Sequence, residues 1–255
     1  MPGGSIYVKQ DEKYTGSSPQ WWYEKFWRED AQKRRRSRYV KAGVAFVIGV
    51  AVSLRFGLTG AAAPIGLLLG GLVAGGDWYF YWRSFQATAV WRGARQGEAI
   101  TGRMLRRSLG RQGYTVLDGR AIRGRASIDH LIIGPGGMWI VDNESWSPDT
   151  EIAVYNGRLF FGEKYGTKEV KPLVETAEAF AELLSRETGV PVTITPMLAV
   201  HCGLLPRGGM LSAEGVTLLK PRLVAKAIKA ADGDVLTGEQ IELLTRTAAR
   251  ELQRA

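Results

Sequence analysis

The stretch that decides the fold is SIDHLIIGPGGMWIVDNESW, residues 127–146. Two apolar segments rich in β-branched and aromatic residues flank the turn Gly134-Pro135-Gly136-Gly137, and glycine and proline are typical of tight turns. The pattern predicts a β-hairpin in which residues 133 and 138 pair across the turn. The same register places Asp129 opposite Asp142, with their Cβ atoms roughly 5 Å apart.

Three carboxylates are expected to share the end of this hairpin. Glu144 lies two residues beyond Asp142 and therefore points to the same face of its strand. Like charges at facing positions destabilise a sheet, and a bound cation or a proton held at raised pKa would relieve them. In the alternative interpretation, the carboxylates only mark where the strands emerge into water. A one-residue shift in register would also place the two aspartates on opposite faces.

Composition narrows the class of protein. The chain has 255 residues and a net charge of +9, which favours a polyanionic partner, either nucleic acid or an anionic membrane surface. The single Cys202 excludes an intramolecular disulfide and a cysteine-based zinc site. With only His130 and His201 in the sequence, a histidine-rich metal centre is excluded as well.

The first 38 residues are predicted to be a disordered, then interfacial and basic, segment. Residues 1–20 are rich in glycine and serine without an apolar period, and we expect them to be disordered. The next run, WWYEKFWRED, has aromatic residues at helical spacing, which is typical of a helix in a membrane interface. The alternative is that this aromatic face packs against the protein itself. Five basic residues follow, Lys33, Arg34, Arg35, Arg36 and Arg38.

Residues 39–82 are predicted to form two transmembrane helices. A helix over residues 39–58 has the length of about 20 residues that a bilayer requires, provided that Lys41 and Arg55 extend their charged ends to the interface. Residues 56–76 carry no charged side chain, and WYFYW at 78–82 resembles an interfacial aromatic belt. A turn is expected at Thr59-Gly60. Small residues at four-residue spacing favour close helix packing in lipid: Gly66/Gly70, Gly71/Gly75 and Ala45/Gly49/Ser53.

Charge distribution predicts the orientation of this hairpin. Basic residues precede the first helix, and Arg83, Arg92 and Arg95 follow the second, whereas the connection carries only Arg55. The positive-inside rule then places both termini in the cytoplasm and the hairpin in the cell membrane. Two alternatives remain: a long signal peptide cleaved near residues 61–63, and a helical hairpin buried in a soluble protein.

Residues 90–255 are predicted to form an α/β domain with a mixed sheet flanked by helices. A helix over residues 93–109 carries Glu98, Gly102, Leu105 and Leu109 on one stripe, so Glu98 is expected to turn inward. Asn156-Gly157 indicates a second hairpin, and Thr237 with Gln240 has capping-box spacing. Further strands are expected at 114–118, 192–201 and 216–219, and further helices at 173–185, 221–230 and 237–252.

Three segments together resemble the NERD (nuclease-related) domain of the PD-(D/E)xK nuclease superfamily. They are WRGARQGEAITGRMLRRSLGRQGYTVLDG, IDHLIIGPGGMWIVDNESW and NGRLFFG. The motifs GxxxGE, IDHLxxGPxG and a following xVD occur in this order, which makes the resemblance specific. It covers residues 91–205 and extends more weakly to the C-terminal helices.

The resemblance implies a Mg²⁺ site made by carboxylates on adjacent strands. Asp129 matches the first acidic position of the family, Asp142 the second and Glu98 the glutamate of the helix. Mg²⁺ prefers such oxygen ligands, polarises a scissile phosphate and assists the formation of hydroxide. The expected catalytic residues are therefore Glu98, Asp129, Asp142 and Glu144, and the expected metal ligands are the first three.

One motif position departs from the family. The lysine expected two residues after the second acid is Glu144 here, and no lysine occurs between Lys41 and Lys164. Some restriction enzymes of the superfamily carry glutamate at this position, so loss of activity does not follow. Another basic group could act instead: Arg103, Arg123, Lys164 or Lys168. His130 should point to the opposite face as a packed or hydrogen-bonded histidine.

The sequence is compatible with three functions. The first is a membrane-tethered, Mg²⁺-dependent nuclease. The second is a catalytically degenerate domain that binds nucleic acid or a protein near the membrane. The third is a structural role in which the helical hairpin joins an envelope complex and the α/β domain acts as a scaffold.

Overall fold

The computed structural model describes residues 19–90, 96–231 and 235–254, and the chain divides into two compact units, Met1–Arg92 and Gly93–Ala255. The predicted disorder of residues 1–18 and the positions of Arg92 and Arg95 lie outside the described residues. Residues 19 and 20, predicted to be disordered, belong instead to the first helix, α1 (Pro19–Glu29).

The first unit is built on two long helices, α2 (Ala31–Arg55) and α3 (Ala62–Ala87), which a short 3-10 turn at Thr59–Ala61 connects. Two segments, Glu24–Arg55 and Thr59–Ala87, are long and apolar enough to cross a membrane. Large apolar side chains along both helices are exposed, which argues against the buried core of a soluble bundle. They include Val44, Val47, Ile48, Val52, Leu67, Leu68 and Leu72. The predicted pair of apolar helices at the N-terminal end is therefore confirmed.

Glycines bring α2 and α3 into close contact. A Cβ atom on Gly66 would lie 2.8 Å from Val50 Cγ2, and one on Gly49 would lie 3.0 Å from Gly66 Cα. A Cβ on Gly70 would lie 3.0 Å from the carbonyl oxygen of Ala42. In contrast, a Cβ on Gly75 would meet nothing within 4 Å. Of the two predicted GxxxG pairs, only the one beginning at Gly66 therefore packs within the hairpin.

Polar and aromatic contacts complete this unit. Asp77 of α3 accepts hydrogen bonds from Lys41 Nζ (2.7 Å) and Arg38 Nε (3.3 Å), both on α2. The ring of Trp27 in α1 packs against Phe85 of α3, with 4.8 Å between the ring centroids. The alternative expectation, that the aromatic face of α1 packs against the protein, therefore holds for Trp27.

Replacing Gly66 with leucine is expected to separate α2 from α3, because the new side chain has no space between the helices. Overpacking of this kind costs about 1–3 kcal/mol. The measurement is the free energy of unfolding of the full chain in mixed micelles titrated with sodium dodecyl sulfate. Gly75→Leu is the matched control, since it adds the same side chain to the same helix where there is open space. Equal losses in the two variants would contradict the packing role of Gly66.

The second unit contains a seven-stranded mixed sheet. Its strands are β1 (Thr115–Ile122), β2 (Ala126–Gly134), β3 (Gly137–Ser145), β7 (Ile194–Cys202), β8 (Met210–Ala213), β9 (Val216–Leu219) and β10 (Gln253–Arg254). Their order in space is β10-β1-β2-β3-β7-β9-β8. The pairs β3–β7 and β7–β9 are parallel and the others antiparallel. A separate three-stranded sheet consists of β4 (Ile152–Tyr155), β5 (Arg158–Phe161) and β6 (Lys164–Tyr165).

Helices cover both faces of the large sheet, as the predicted α/β class requires. The helices are α4 (Gly97–Leu109), α5 (Thr167–Thr188), α6 (Pro221–Lys229) and α7 (Gly238–Glu251). Because side chains alternate along a strand, Leu131 and Ile140 pack with α5 and α7, whereas Ile132 and Val141 pack with α4 and α6. Alternate residues of the central hairpin thus contribute to two hydrophobic cores, one on each face of the large sheet.

Some predicted boundaries are wrong. Helix α4 begins at Gly97, with Gln96 as its N-cap, and the described residues do not include 93–95. Helix α5 begins at Thr167 rather than 173, because Pro172 is accommodated within it and buried Val170 anchors its first turns. The predicted capping box between Thr237 and Gln240 is confirmed.

Candidate acidic site at the end of the central hairpin

The hairpin has the predicted register. Ile133 pairs with Met138, and the ladder continues to its last pair, His130 with Val141. Asp129 and Asp142 occupy the next position on their strands. On its other side, the pairing of β2 with β1 skips Gly119 and Asp129, where Gly119 has a φ of 53° that favours glycine. The backbone of Asp129 is therefore left out of both ladders.

Side chains replace the missing backbone pair. The backbone N–H of Asp129 donates to Asp142 Oδ1 at 3.0 Å. Asp129 Oδ2 accepts from the backbone N–H of Asn143 at 2.9 Å and from its side-chain amide at 2.8 Å. Within the described residues, the other oxygen of each carboxylate makes no hydrogen bond. The two aspartates are thus held against each other, and each keeps one oxygen available to a ligand.

Burial and like charge both act on Asp142. Burial raises the pKa of this carboxyl from 3.8 to about 6; the hydrogen bond from Asp129 opposes the shift, and the charges of Asp129 and Glu144 add to it. A neutralising partner for Asp142 is therefore favoured near neutral pH, either a proton or a cation.

Glu144 belongs to the same acidic region but is more exposed. Partial burial raises the pKa of the Glu144 carboxyl, and the negative charges of Glu169 and Asp129 raise it further. Glu169, in the first turn of α5, is an acidic neighbour that the sequence did not indicate. No motif connects it to the hairpin, since only the folding of α5 across the sheet brings the two glutamates near each other.

Glu98 does not turn inward as predicted. It is exposed in the first turn of α4, whose buried residues are Thr101, Gly102, Leu105 and Leu109. A carboxylate in a first turn is stabilised by the free N–H groups of the helix N-terminus and needs no buried partner. Across the described ranges, no group of three or more His, Cys, Asp or Glu side chains lies close enough together to hold a metal ion. The structure brings Asp129, Asp142 and Glu144 near one another without Glu98, whose role stays a prediction.

A chain of hydrogen bonds behind Asp129 leads to His201, a residue that sequence reasoning missed. His201 Nε2 lies 2.9 Å from Asn143 Oδ1 and 3.0 Å from Thr101 Oγ1. Because the amide NH₂ of Asn143 donates to Asp129, its oxygen accepts, and this assigns the proton to His201 Nε2. Burial lowers the pKa of His201 to about 4, so the ring is neutral at physiological pH. The sequence of contacts is thus His201 to Asn143 to Asp129.

The position of His201 arises from an irregularity in the sheet. The register between β3 and β7 shifts between Glu144 and Ser145, so that Val200 and Cys202 have partners and His201 has none. Such bulges redirect side chains and are common beside active sites. The only signal in the sequence was the polar residue Asn143 between two acids, and the parallel neighbour of a strand cannot be read from spacing.

His130 faces away from the acids, as predicted. It is buried, and its Nδ1 lies 2.8 Å from Asp118 Oδ1, while Arg106 binds the other oxygen of Asp118. A Cβ on Gly102 would lie 2.9 Å from His130 Cε1, so α4 requires glycine at this point. Asp118 therefore connects His130 of the sheet to Arg106 of α4.

The four basic residues considered as substitutes for the missing lysine are all exposed: Arg103, Arg123, Lys164 and Lys168. None forms an ion pair with Asp129, Asp142 or Glu144 in the part of the chain that the structure describes.

Comparison with known families gives one match. Residues 93–201 match the family model described as nuclease-related domain (NERD). This range includes all four predicted site residues as well as Thr101, Asn143 and His201. Searches of curated proteins and of solved structures found no match.

Proposed function

We propose that this chain, whose residues 93–201 form a nuclease-related domain, is a membrane-anchored hydrolase that cleaves phosphodiester bonds of nucleic acid with the help of Mg²⁺. The observation that carries the proposal is the junction between Asp129 and Asp142, where two carboxylates are held together and the pKa of Asp142 is raised to about 6. Two crowded carboxylates of this kind are stabilised when a cation binds.

The donor set fits a hard divalent cation, since it consists only of carboxylate oxygens. Asp129 and Asp142 would hold the ion, with Glu98 as the third ligand that the family pattern predicts. When bound, the ion polarises a phosphate and lowers the pKa of a bound water. Asn143 keeps the Asp129 carboxylate in position through two hydrogen bonds, and His201 keeps the Asn143 amide in position as a neutral donor.

The proposed site of action is the membrane surface. The two apolar helices would anchor the chain, and the basic residues on their flanks favour an orientation with the nuclease-related domain at the cytoplasmic face of the cell membrane. The net charge of +9 favours an anionic ligand. Exposed arginines of α4, such as Arg103 and Arg107, are suited to contact its phosphates.

The test is cleavage by the full chain in zwitterionic lipid nanodiscs. Labelled single- and double-stranded DNA and RNA are incubated with Mg²⁺ or Mn²⁺, and with EDTA after metal removal. We expect shortened products only when a divalent cation is present. A chain that neither cleaves nor binds any of these nucleic acids would contradict the proposal.

A second candidate function is binding without cleavage, through a degenerate acidic site. Two observations favour it: glutamate occupies the position of the family's lysine, and no third ligand joins the two aspartates among the described residues. Such a domain would still bind nucleic acid, and its affinity would fall steeply with salt because phosphate contacts release counterions.

Glu144→Lys discriminates between the two candidates. Lysine removes one of the charges that raise the pKa of Asp142 and adds a cation where negative charge develops on the phosphate. We expect cleavage to rise by at least about 10-fold, since one well-placed electrostatic group is typically worth about 100- to 1,000-fold. Glu144→Gln is the control, because it removes the negative charge without adding a positive one. Binding with no cleavage in the wild type or in either variant would favour the binding module.

A further inference from the structure

The outward face of the small sheet β4–β5–β6 carries an unusual set of side chains. Its register places Tyr155 opposite Arg158, and Phe160 opposite Tyr165. These four residues therefore share one face. Tyr155 and Tyr165 are 55% and 57% exposed, so more than half of each side chain is accessible to a ligand.

The rings on this face contact one another without sharing one plane. Phe160 lies between the two tyrosines: its centroid is 5.7 Å from that of Tyr155 at an interplanar angle of 67°, and 4.9 Å from that of Tyr165 at an angle of 37°. The guanidinium carbon of Arg158 lies 5.9 Å from the centroid of the Tyr165 ring, within the range of a cation–π contact. Three aromatic rings and one arginine are thus side by side, and we call this surface the aromatic platform.

The opposite face of the small sheet is fixed to the core. Ile152, Leu159 and Phe161 are buried. Phe161 stacks on Trp146 at a centroid distance of 4.4 Å and an interplanar angle of 10°. The platform is therefore supported by a rigid layer and needs no folding step to present its rings.

The platform is also connected to the acidic site. Trp146, which stacks beneath it, is two residues beyond Glu144 in the sequence. At its other end, β6 is followed directly by α5, whose first turn carries Glu169, the residue that acts electrostatically on Glu144. The two surfaces are thus linked by short stretches of chain at both ends of the small sheet.

Basic and acidic side chains both surround the platform, so base stacking rather than net charge carries the expected affinity. Arg158 lies on the platform face, and Lys164 and Lys168, which precede and follow Tyr165 in the chain, are exposed. Two acidic side chains near the platform hold neutral donors and keep their negative charge: Glu214 Oε1 accepts from the backbone N–H of Leu159 and from the Thr167 hydroxyl, and Glu151 accepts from the hydroxyl of Tyr155. Glu163 is exposed and would remain as a local repulsive charge.

We propose that the aromatic platform binds unpaired nucleotides of the nucleic acid that reaches the acidic site, with bases stacked on Tyr155, Phe160 and Tyr165. This inference rests on the proposed function. Bases within a duplex already stack on their neighbours, whereas a single strand exposes base faces that aromatic rings and arginine bind without sequence preference. The ligand class is therefore single-stranded DNA or RNA, which the platform discriminates from a duplex.

The test measures the affinity of the full chain, in zwitterionic nanodiscs with EDTA to prevent cleavage, for a fluorescent single strand of about 12 nucleotides, within the usual site size of such surfaces. Fluorescence anisotropy gives the dissociation constant, and the same sequence as a duplex is the reference ligand. The test variant is Tyr155→Ala with Tyr165→Ala, and the matched control is Tyr155→Phe with Tyr165→Phe. Both positions are exposed, so thermal unfolding should be unchanged in either variant.

Loss of both rings is expected to weaken single-strand binding on the order of 100-fold, about 10-fold for each stacked base. The phenylalanine variant should bind as the wild type does, and duplex binding should be equal in all three proteins. Unchanged single-strand binding in the alanine variant would overturn the platform and leave the proposed function standing, because cleavage and duplex binding would persist. This outcome would also follow if the platform receives a protein segment. Absence of binding to every nucleic acid in the wild type would overturn both proposals.

Discussion

Asp142→Asn should lower the rate of metal-dependent cleavage by at least about 100-fold, since even removal of a metal ligand's supporting partner can cost that much. The substitution removes the negative charge and preserves the shape of the side chain. The new amide oxygen can still accept from the backbone N–H of Asp129, which donates to Asp142 Oδ1 at 3.0 Å. The end of the hairpin should therefore remain folded while its affinity for a divalent cation falls. Initial rates of oligonucleotide cleavage in Mg²⁺ and Mn²⁺ measure the effect.

Asp118→Asn is the matched control for this experiment. Asp118 lies on the neighbouring strand β1, where it binds His130 and Arg106 rather than the acidic site. Its replacement should change the cleavage rate by only a few fold, whatever it does to stability. Equal activity of Asp142→Asn and the wild type would mean that the acidic site is not where cleavage occurs.

The stability of the second unit, Gly93–Ala255, should depend on pH through two groups that act in opposite directions. The pKa of Asp142 is raised from 3.8 to about 6, so the folded state keeps a proton that the unfolded state has lost, and this contribution declines as pH rises across that window. The pKa of His201 is lowered from 6.5 to about 4, so its contribution declines as pH falls across nearly the same window. The effect of Asp142 is on the order of 3 kcal/mol, and that of His201 is smaller than its pKa shift alone implies because solvent partly screens the ring, so in the wild type the two partly offset each other.

Single variants should separate the two opposite dependences of stability on pH. In Asp142→Asn the contribution of His201 is no longer opposed by Asp142, and stability should fall on acidification from pH 7 to pH 4.5. In His201→Gln, which retains a donor for Asn143, stability should rise over the same change. Glu144, whose pKa is also raised, acts in the same direction as Asp142 and makes the first slope shallower. Amide hydrogen exchange in the strands of the large sheet measures both.

The double variant Asp142→Asn with His201→Gln is the control, and its stability should vary least with pH. If both single variants had slopes of the same sign, the assignment of the two shifted pKa values would be wrong.

Local patterns in the sequence determined the central hairpin. The turn at residues 134–137 and the apolar runs on either side indicate a hairpin, and the turn sets the register that brings Asp129 next to Asp142. The two apolar helices and the capping box of α7 were equally predictable, because hydropathy and capping act over a few turns of one segment.

Only the tertiary structure decided the surroundings of that pair. Helical spacing placed Glu98 on the inward stripe, but the packing of α4 on the sheet leaves it exposed. The bulge in β7 brings His201 to Asn143, and the path of α5 brings Glu169 toward Glu144. Spacing in the sequence could not show which GxxxG pair in α3 meets α2, nor that Tyr155, Phe160 and Tyr165 come from three strands to one face. The reason is physical: periodicity reports which face of an element a side chain occupies, whereas its neighbours depend on which other element packs there.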